Sequence, residues 1–151
     1  MSAVPSPRPP TLLVVEDNPD DLLLLRRALQ RSAVGTQLQA LADGEAACAY
    51  LDGRGDYADR QRFPLPRLLL LDWKLPRRSG REVLQWLRGE PALTGLAVVV
   101  MSSSGEAEDV VAALAAGANA YVQKPGGSQA LQAMVDATLG FWLRQHRALV
   151  G

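Results

Sequence analysis

Four consecutive leucines, Leu68–Leu71, end directly in the carboxylate of Asp72, and this run restricts the fold more than any other feature of the chain. Pro64 and Pro66 precede the run and Pro76 follows it. An apolar segment this short predicts a strand buried on both faces, because a buried helix needs about ten or more residues. In an open parallel sheet, ligand sites form at the carboxyl ends of the strands. The sequence therefore places Asp72 at a candidate site.

Other predicted strands also stop at groups that can carry chemistry. These strands and their end groups are 12–15 with Glu16 and Asp17, 96–101 with Ser102, and 120–122 with Lys124. Residues 37–41 alternate polar and apolar side chains and predict an edge strand. Five predicted strands alternate with five predicted helices, which indicates a three-layer α/β fold with a parallel sheet and right-handed crossovers.

The predicted helix starts carry residues that suit a helix N-terminus, and these are Asp20 and Asp21, Asp43, Ser79 with Glu82, and Ser128. Residues 52–66 are rich in Gly, Asp, Arg and Pro and lack periodicity, so we predict a long surface loop there. Residues 1–10 contain four prolines and predict a disordered lead-in. We expect the folded domain to span residues 11–143, with a short tail at 144–151.

The bulk composition excludes several classes of function. The chain has 151 residues, enough for one domain that buries about 70% of its unfolded surface. Lys plus Arg and Asp plus Glu number 16 each, so no net positive charge favours nucleic acid. The single cysteine, Cys48, predicts a small buried apolar residue. No apolar segment approaches a membrane span and no signal peptide is evident, so we expect a cytoplasmic protein.

The strand-end residues predict a site made of three carboxylates, a hydroxyl and an ammonium. Three carboxylates in one pocket repel one another unless a cation or protons enter. An oxygen-only set of ligands suits Mg²⁺ rather than zinc. The chain carries no Gly-rich phosphate loop of the P-loop or dinucleotide type, so an ordinary nucleotide enzyme would lack its usual anchor.

Four segments in order give the chain a close resemblance to the receiver domain of two-component response regulators, over about Thr11 to Leu143. They are Val15-Glu16-Asp17, Leu71-Asp72-Trp73-Lys74-Leu75-Pro76, Met101-Ser102 and Tyr121-Val122-Gln123-Lys124-Pro125. The resemblance implies a flavodoxin-like (βα)5 fold with the strand order 2-1-3-4-5. It also implies that a sensor histidine kinase or a phosphotransfer protein donates a phosphoryl group to Asp72.

The resemblance further implies a role for each site residue. Asp72 is the phosphoacceptor, Lys124 and Ser102 assist at the phosphoryl group, and Ser102 with Tyr121 forms the switch; Ser103 replaces Ser102 if the strand ends one residue later. Mg²⁺ is held by Glu16, Asp17, Asp72 and the backbone carbonyl of Lys74. The side chains of Lys74 and Ser104 lie at positions that influence hydrolysis in this family. The chain would catalyse only its own phosphorylation and slow dephosphorylation.

The long segment 52–66 and the ending Gly140-Phe141-Trp142-Leu143 are similar to the regulators that partner bacterial phytochromes. We therefore expect a single-domain switch, without an output domain, whose kinase is a bacteriophytochrome. Trp142 caps the core, or the residues 141–143 form an apolar patch in a homodimer that uses the faces of the fourth and fifth helices. The alternative functions are a constitutive, unphosphorylated interaction module with a receiver fold and, ranked last, a small-molecule hydrolase that uses Asp72.

Overall fold

The computed structural model describes residues 8–145, and its centre is one parallel sheet in the order β2-β1-β3-β4-β5. The strands are β1 Thr11–Val15, β2 Gln37–Leu41, β3 Leu68–Asp72, β4 Ala97–Ser102 and β5 Ala120–Gln123. The prediction of a three-layer α/β fold with the order 2-1-3-4-5 is confirmed, and β2 lies at the predicted edge.

Five α-helices connect or follow these strands, and they are α1 Pro19–Arg31, α2 Gly44–Asp52, α3 Gly80–Arg88, α4 Ala107–Ala116 and α5 Ser128–Leu139. Short 3₁₀ turns lie at Gly55–Ala58 and Pro91–Leu93, and a π-helix, Gly140–Gln145, continues α5. Within residues 8–145, no helix has both the length and the apolar character that crossing a membrane requires. The predictions for residues 1–7 and 146–151 lie outside the described residues.

The four leucines of β3 serve both faces of the sheet. Leu69 and Leu71 pack in a core cluster with side chains of α2, α3 and α4, whereas Leu68 and Leu70 pack in a second cluster with side chains of α1 and α5. The alternation follows from the two-residue period of a strand. Helices therefore cover both faces, which is why β3 reads as a continuous apolar run, and Asp72 is the first polar residue where that cover ends.

Most of the predicted helix starts agree with the structure. The side chain of Asp43 accepts a hydrogen bond from the N–H of Ala46, and Ser79 with Glu82 forms a complete capping box. The prediction that Ser128 caps the last helix is wrong. Gly127 precedes α5 with φ 93°, and Ser128 is already helical. A positive φ favours glycine, so the chain enters α5 one residue earlier than the serine indicates.

The loop 53–66 is more ordered than its composition predicts. The rings of Tyr57 and Phe63 pack on each other with centroids 5.2 Å apart, and both contact Tyr50 at the end of α2, at 5.2 and 6.0 Å. The guanidinium of Arg60 donates to two backbone carbonyls of the last turn of α2. The loop is therefore fastened to α2 by an aromatic cluster and by a cation that satisfies helix-end carbonyls.

Of the two alternatives for residues 141–143, the apolar patch does not form as a unit. Leu143 is buried in the cluster between α1 and α5, and Trp142 is half-buried against the same cluster. Phe141 is the exposed member of the three, and its ring contacts that of Trp142 with the centroids 4.8 Å apart. The prediction that Leu143 contributes to a surface patch is wrong, because this side chain lies four residues after the buried Leu139 and packs in the same core cluster.

Candidate functional site

The carboxyl ends of four strands meet at one edge of the sheet. Glu16 directly follows β1, Asp72 and Ser102 are the last residues of β3 and β4, and Lys124 directly follows β5. Backbone hydrogen bonds extend the sheet beyond these ends. The N–H of Glu16 donates to the carbonyl of Leu41 at 2.9 Å, and the N–H of Lys124 donates to that of Ser102 at 2.7 Å. The sheet itself therefore fixes the backbone of these residues.

The ammonium of Lys124 connects the acidic groups of the site. Its Nζ lies 2.5 Å from Glu16 Oε1 and 3.2 Å from Asp72 Oδ2. Glu16 is only 3% exposed and Asp72 only 6%, so the ammonium is the counter-charge of two nearly buried carboxylates. The structure thus brings together three of the residues that the sequence predicts for the site.

A third carboxylate contacts the same ammonium, and the sequence analysis did not assign it to the site. Asp21 Oδ2 lies 3.2 Å from Lys124 Nζ. Asp21 belongs to the first turn of α1, where its charge also suits the helix dipole, and that explanation was sufficient for the sequence alone. The available signal was its place in the first turn of the helix that follows the acidic pair Glu16 and Asp17, which keeps it near the same edge of the sheet.

Burial governs the electrostatics of this cluster. It raises the pKa of Glu16, and the hydrogen bond between Glu16 and Asp72 raises that pKa further, against the opposing effects of Lys124 and of the Asn18 N–H. Burial alone would lower the pKa of Lys124. The hydrogen bond to Glu16 and the charges of Asp72 and Glu16 outweigh it, so the pKa of Lys124 is raised. The site therefore has more negative charge than one ammonium compensates.

The acidic residues have the arrangement of a cation site. Glu16, Asp17 and Asp72 each offer a carboxylate oxygen, and these three oxygens lie within 4.8 Å of one another. Asp17 is exposed and leaves the cluster open to solvent. The donor set is entirely oxygen, which is what hard divalent cations prefer. These residues fit a divalent cation.

The loop after Asp72 is packed closely against its own strand. The N–H of Lys74 donates to Asp72 Oδ1 at 3.2 Å, while the side chain of Lys74 is exposed. The N–H of Gly80 donates to the carbonyl of Trp73 at 3.0 Å. A Cβ on Gly80 would lie 2.5 Å from the carbonyl oxygen of Asp72, so only glycine allows α3 to start this near the carboxylate. The ligand role of the Lys74 carbonyl stays a prediction.

Ser102 and Tyr121 both contact one residue of the loop after β4. Ser102 is buried, and its Oγ accepts a hydrogen bond from the N–H of Ser104 at 3.2 Å. The hydroxyl of Tyr121 donates to the carbonyl of Ser104 at 2.7 Å. Ser103 is exposed, and β4 ends at Ser102. The two residues predicted to form the switch are therefore connected through the backbone of Ser104.

Comparison with known proteins agrees with this geometry. The profile of the family "Response regulator receiver domain" matches residues 12–136. Response regulator Rcp1 of Synechocystis is 37% identical over 135 residues, which cover 89% of this chain and 90% of Rcp1.

Solved structures give the same result. The phosphorylated cyanobacterial phytochrome response regulator RcpA superposes with a TM-score of 0.85 at 34% identity, covering 93% of this chain and 98% of RcpA. The Mn²⁺-bound form of Rcp1 has a TM-score of 0.82 at 36% identity, covering 93% and 99%. RPA3017, a response regulator in red light signaling of R. palustris, has a TM-score of 0.89 at 32% identity, covering 94% and 99%. The chain belongs to the family of response regulator receiver domains and is related to the phytochrome response regulators.

Proposed function

We propose that this response regulator accepts a phosphoryl group on Asp72 from a sensor histidine kinase or a phosphotransfer protein, and that the sensor is a bacteriophytochrome. The observation that carries the proposal is the position of Asp72, a nearly buried carboxylate 3.2 Å from an ammonium and clustered with Glu16 and Asp17. The similarity to RcpA, a cyanobacterial phytochrome response regulator, and to RPA3017, a response regulator in red light signaling, supports a phytochrome as sensor.

The transfer uses Asp72 as the nucleophile. One carboxylate oxygen attacks phosphorus, the bond from phosphorus to the donor's leaving atom breaks, and the leaving group keeps that electron pair, so that an acyl phosphate forms. Lys124 donates to the phosphoryl oxygens and stabilises the charge on the transferred group. Glu16, Asp17, Asp72 and the carbonyl of Lys74 would hold the cofactor Mg²⁺, which would supply further positive charge to those oxygens.

The switch follows from the new charge. A phosphoryl group adds nearly two negative charges and three acceptor oxygens beside the buried Ser102. The hydroxyl of Ser102 turns to donate to it, and Tyr121 turns further inward. The surface changed by these movements binds a partner or a second copy. Water then hydrolyses the acyl phosphate slowly and returns Asp72 to its free carboxylate.

We propose further that two copies associate through the faces of α4 and α5. Val111 and Leu114 lie three residues apart on α4 and are 66% and 47% exposed. Sedimentation at micromolar concentration tests this, with Leu114→Glu expected to give monomers. Leu65→Glu is the matched control, because Leu65 is an exposed leucine of the loop 53–66. A monomeric wild type, or the same shift for Leu65→Glu, contradicts the dimer.

Acetyl phosphate with Mg²⁺, followed by intact-protein mass spectrometry, tests the phosphoacceptor. Wild type is expected to gain one phosphate and Asp72→Asn none, while Asp56→Asn, at an exposed aspartate of the 3₁₀ turn, behaves like wild type. A bacteriophytochrome kinase is likewise expected to phosphorylate wild type and Asp56→Asn but not Asp72→Asn. A folded wild type that gains no phosphate from either donor overturns the proposal and leaves the constitutive interaction module. A phosphorylated Asp72→Asn removes the assigned role of Asp72.

A further inference from the structure

The ammonium of Lys124 has three carboxylate partners, and they differ in what the proposed reaction does to them. Glu16 and Asp72 belong to the cluster of oxygens that fits a divalent cation, and Asp72 is also the proposed phosphoacceptor. Asp21 is not part of that oxygen cluster. Its contact with Lys124 therefore calls for a separate explanation.

We propose that Asp21 is a positioning residue for Lys124, which holds the ammonium beside Asp72 while its other two partners change during the reaction. The inference rests on the proposed function. An ammonium has three N–H bonds, and here they face three carboxylates at 2.5, 3.2 and 3.2 Å. Together these contacts hold the flexible side chain of Lys124 in one place.

Two of the three contacts weaken when phosphoryl transfer begins. As an oxygen of Asp72 forms its bond to phosphorus and the bond to the leaving group breaks, the carboxylate becomes an acyl phosphate and loses its charge. One N–H of Lys124 is then released to a phosphoryl oxygen. Glu16 would share its charge with the cation that it helps to hold. Asp21 is the one partner whose charge and bonding stay unchanged, so it keeps the ammonium in the pocket.

The fold suits Asp21 to this task. Asp21 lies on the first turn of α1, and its N–H donates to Asn18 Oδ1 at 3.1 Å, so a capped helix carries it rather than a free loop. Lys124 reaches it from the end of β5, on the other side of the site. The contact thus ties the end of an edge strand to the start of a helix across the pocket.

The neighbouring residue Asp20 supplies a matched control. Asp20 lies on the same turn, its N–H donates to the same Asn18 oxygen, and its side chain is exposed. Within residues 8–145, Lys124 Nζ contacts Asp21 and not Asp20. Asp20→Asn therefore removes one negative charge from the same turn without removing a contact to Lys124. It reports how that charge alone changes the reaction with an anionic phosphodonor and the stability of the helix. The difference between Asp21→Asn and Asp20→Asn reports the contact.

The first measurement is the rate of phosphorylation by acetyl phosphate at saturating Mg²⁺, with thermal unfolding of each protein as a check on the fold. The pair is partly exposed, at 43% for the side chain of Asp21 and 21% for that of Lys124, so the expected effect is moderate. Asp21→Asn is expected to react about threefold to fivefold more slowly than Asp20→Asn. Asp21→Glu, which keeps the charge, is expected to recover part of that rate.

The second measurement repeats the comparison with Lys124→Gln as the parent. If Asp21 acts through Lys124, Asp21→Asn and Asp20→Asn then react at equal rates. Equal rates with Lys124 present, or an undiminished difference in the Lys124→Gln parent, overturn the positioning role. A wild type that gains no phosphate overturns the proposed function together with this inference, whereas a phosphorylated wild type with equal Asp21→Asn and Asp20→Asn rates overturns this inference alone.

Discussion

Replacing Lys124 by methionine tests the electrostatics of the site directly. The change keeps most of the side-chain volume and removes the charge that Glu16 and Asp72 share. Removal of one partner from a buried ion pair destabilises a protein by about 3–5 kcal/mol. Lys124 is partly exposed and Glu16 can take up a proton, so we expect the lower end, about 3 kcal/mol. For a chain of this size that lowers Tm by about 6–12 °C.

The pH dependence gives this prediction its specific signature. Burial, together with the hydrogen bond to Asp72, raises the pKa of Glu16 in the folded wild type, and loss of the ammonium raises it further. Because the pKa of Glu16 is higher in the folded than in the unfolded state, folding favours its protonated form. The stabilisation from that form is present in acid and is lost as pH rises through the folded-state pKa. The deficit of Lys124→Met is therefore expected to be small near pH 4.5 and largest at neutral pH.

The assay is urea unfolding with EDTA at several pH values, repeated with Mg²⁺. Mg²⁺ at 100 times its Kd adds about 2.7 kcal/mol to the free energy of unfolding of a protein that binds it only when folded. At the same Mg²⁺ concentration, Lys124→Met is expected to be stabilised more than wild type, because the cation replaces the missing charge. Lys74→Met is the control, since that side chain is exposed. Equal stability of Lys124→Met and wild type at neutral pH, or a deficit that does not change with pH, refutes the reasoning.

Three further predictions concern the scaffold. Burial raises the pKa of Tyr50 to about 12, so the stabilisation that folding gains from its neutral phenol is full below pH 10 and is lost toward pH 12. A pH titration followed by absorbance at 295 nm is expected to show a late-titrating tyrosine, and Tyr50→Phe is expected to remove it. Gly80→Ala is expected to lower the free energy of unfolding by about 1–3 kcal/mol and to slow phosphorylation, because its Cβ would meet the backbone of Asp72 and Trp73. Its control, Gly89→Ala at the other end of α3, is expected to leave urea unfolding unchanged. Arg88→Met is expected to cost about 3 kcal/mol in the same assay, since this guanidinium donates to four backbone carbonyls and to Asn119, while Arg81→Met on the exposed side of α3 costs little.

The sheet and its polar edge could be predicted because each follows from a local pattern. A run of four leucines admits a strand buried on both faces, and parallel strands have all their carboxyl ends on one edge. Once the strands are assigned, the convergence of Glu16, Asp72 and Lys124 needs no further information. The hydrogen bonds that continue the sheet past Glu16 and Lys124 show why this inference from strand ends succeeds.

The features that escaped prediction depend on contacts between distant segments. Asp21 has a sufficient local role at the start of α1, and its contact with Lys124 joins residues 103 positions apart. The loop 53–66 has no periodicity because its order comes from two aromatic rings, Tyr57 and Phe63, and from Arg60, which pack on the last turn of α2. Leu143 lies four residues after the buried Leu139, so the helical period already placed it on the core face, and only its position in the apolar run 141–143 suggested an exposed patch.

Ser104 determines what the proposed switch must break. Its N–H donates to Ser102 Oγ and its carbonyl accepts from Tyr121, so one residue holds both side chains. If the Ser102 hydroxyl turns to a phosphoryl group, the N–H of Ser104 loses its acceptor, and a shift of that residue releases the phenol. The cost is about two neutral hydrogen bonds, roughly 1–3 kcal/mol, whereas a hydrogen bond to a charged phosphoryl oxygen contributes about 1.5–3 kcal/mol. The balance is close, so phosphorylation can shift the loop after β4 without a large driving force from elsewhere in the fold.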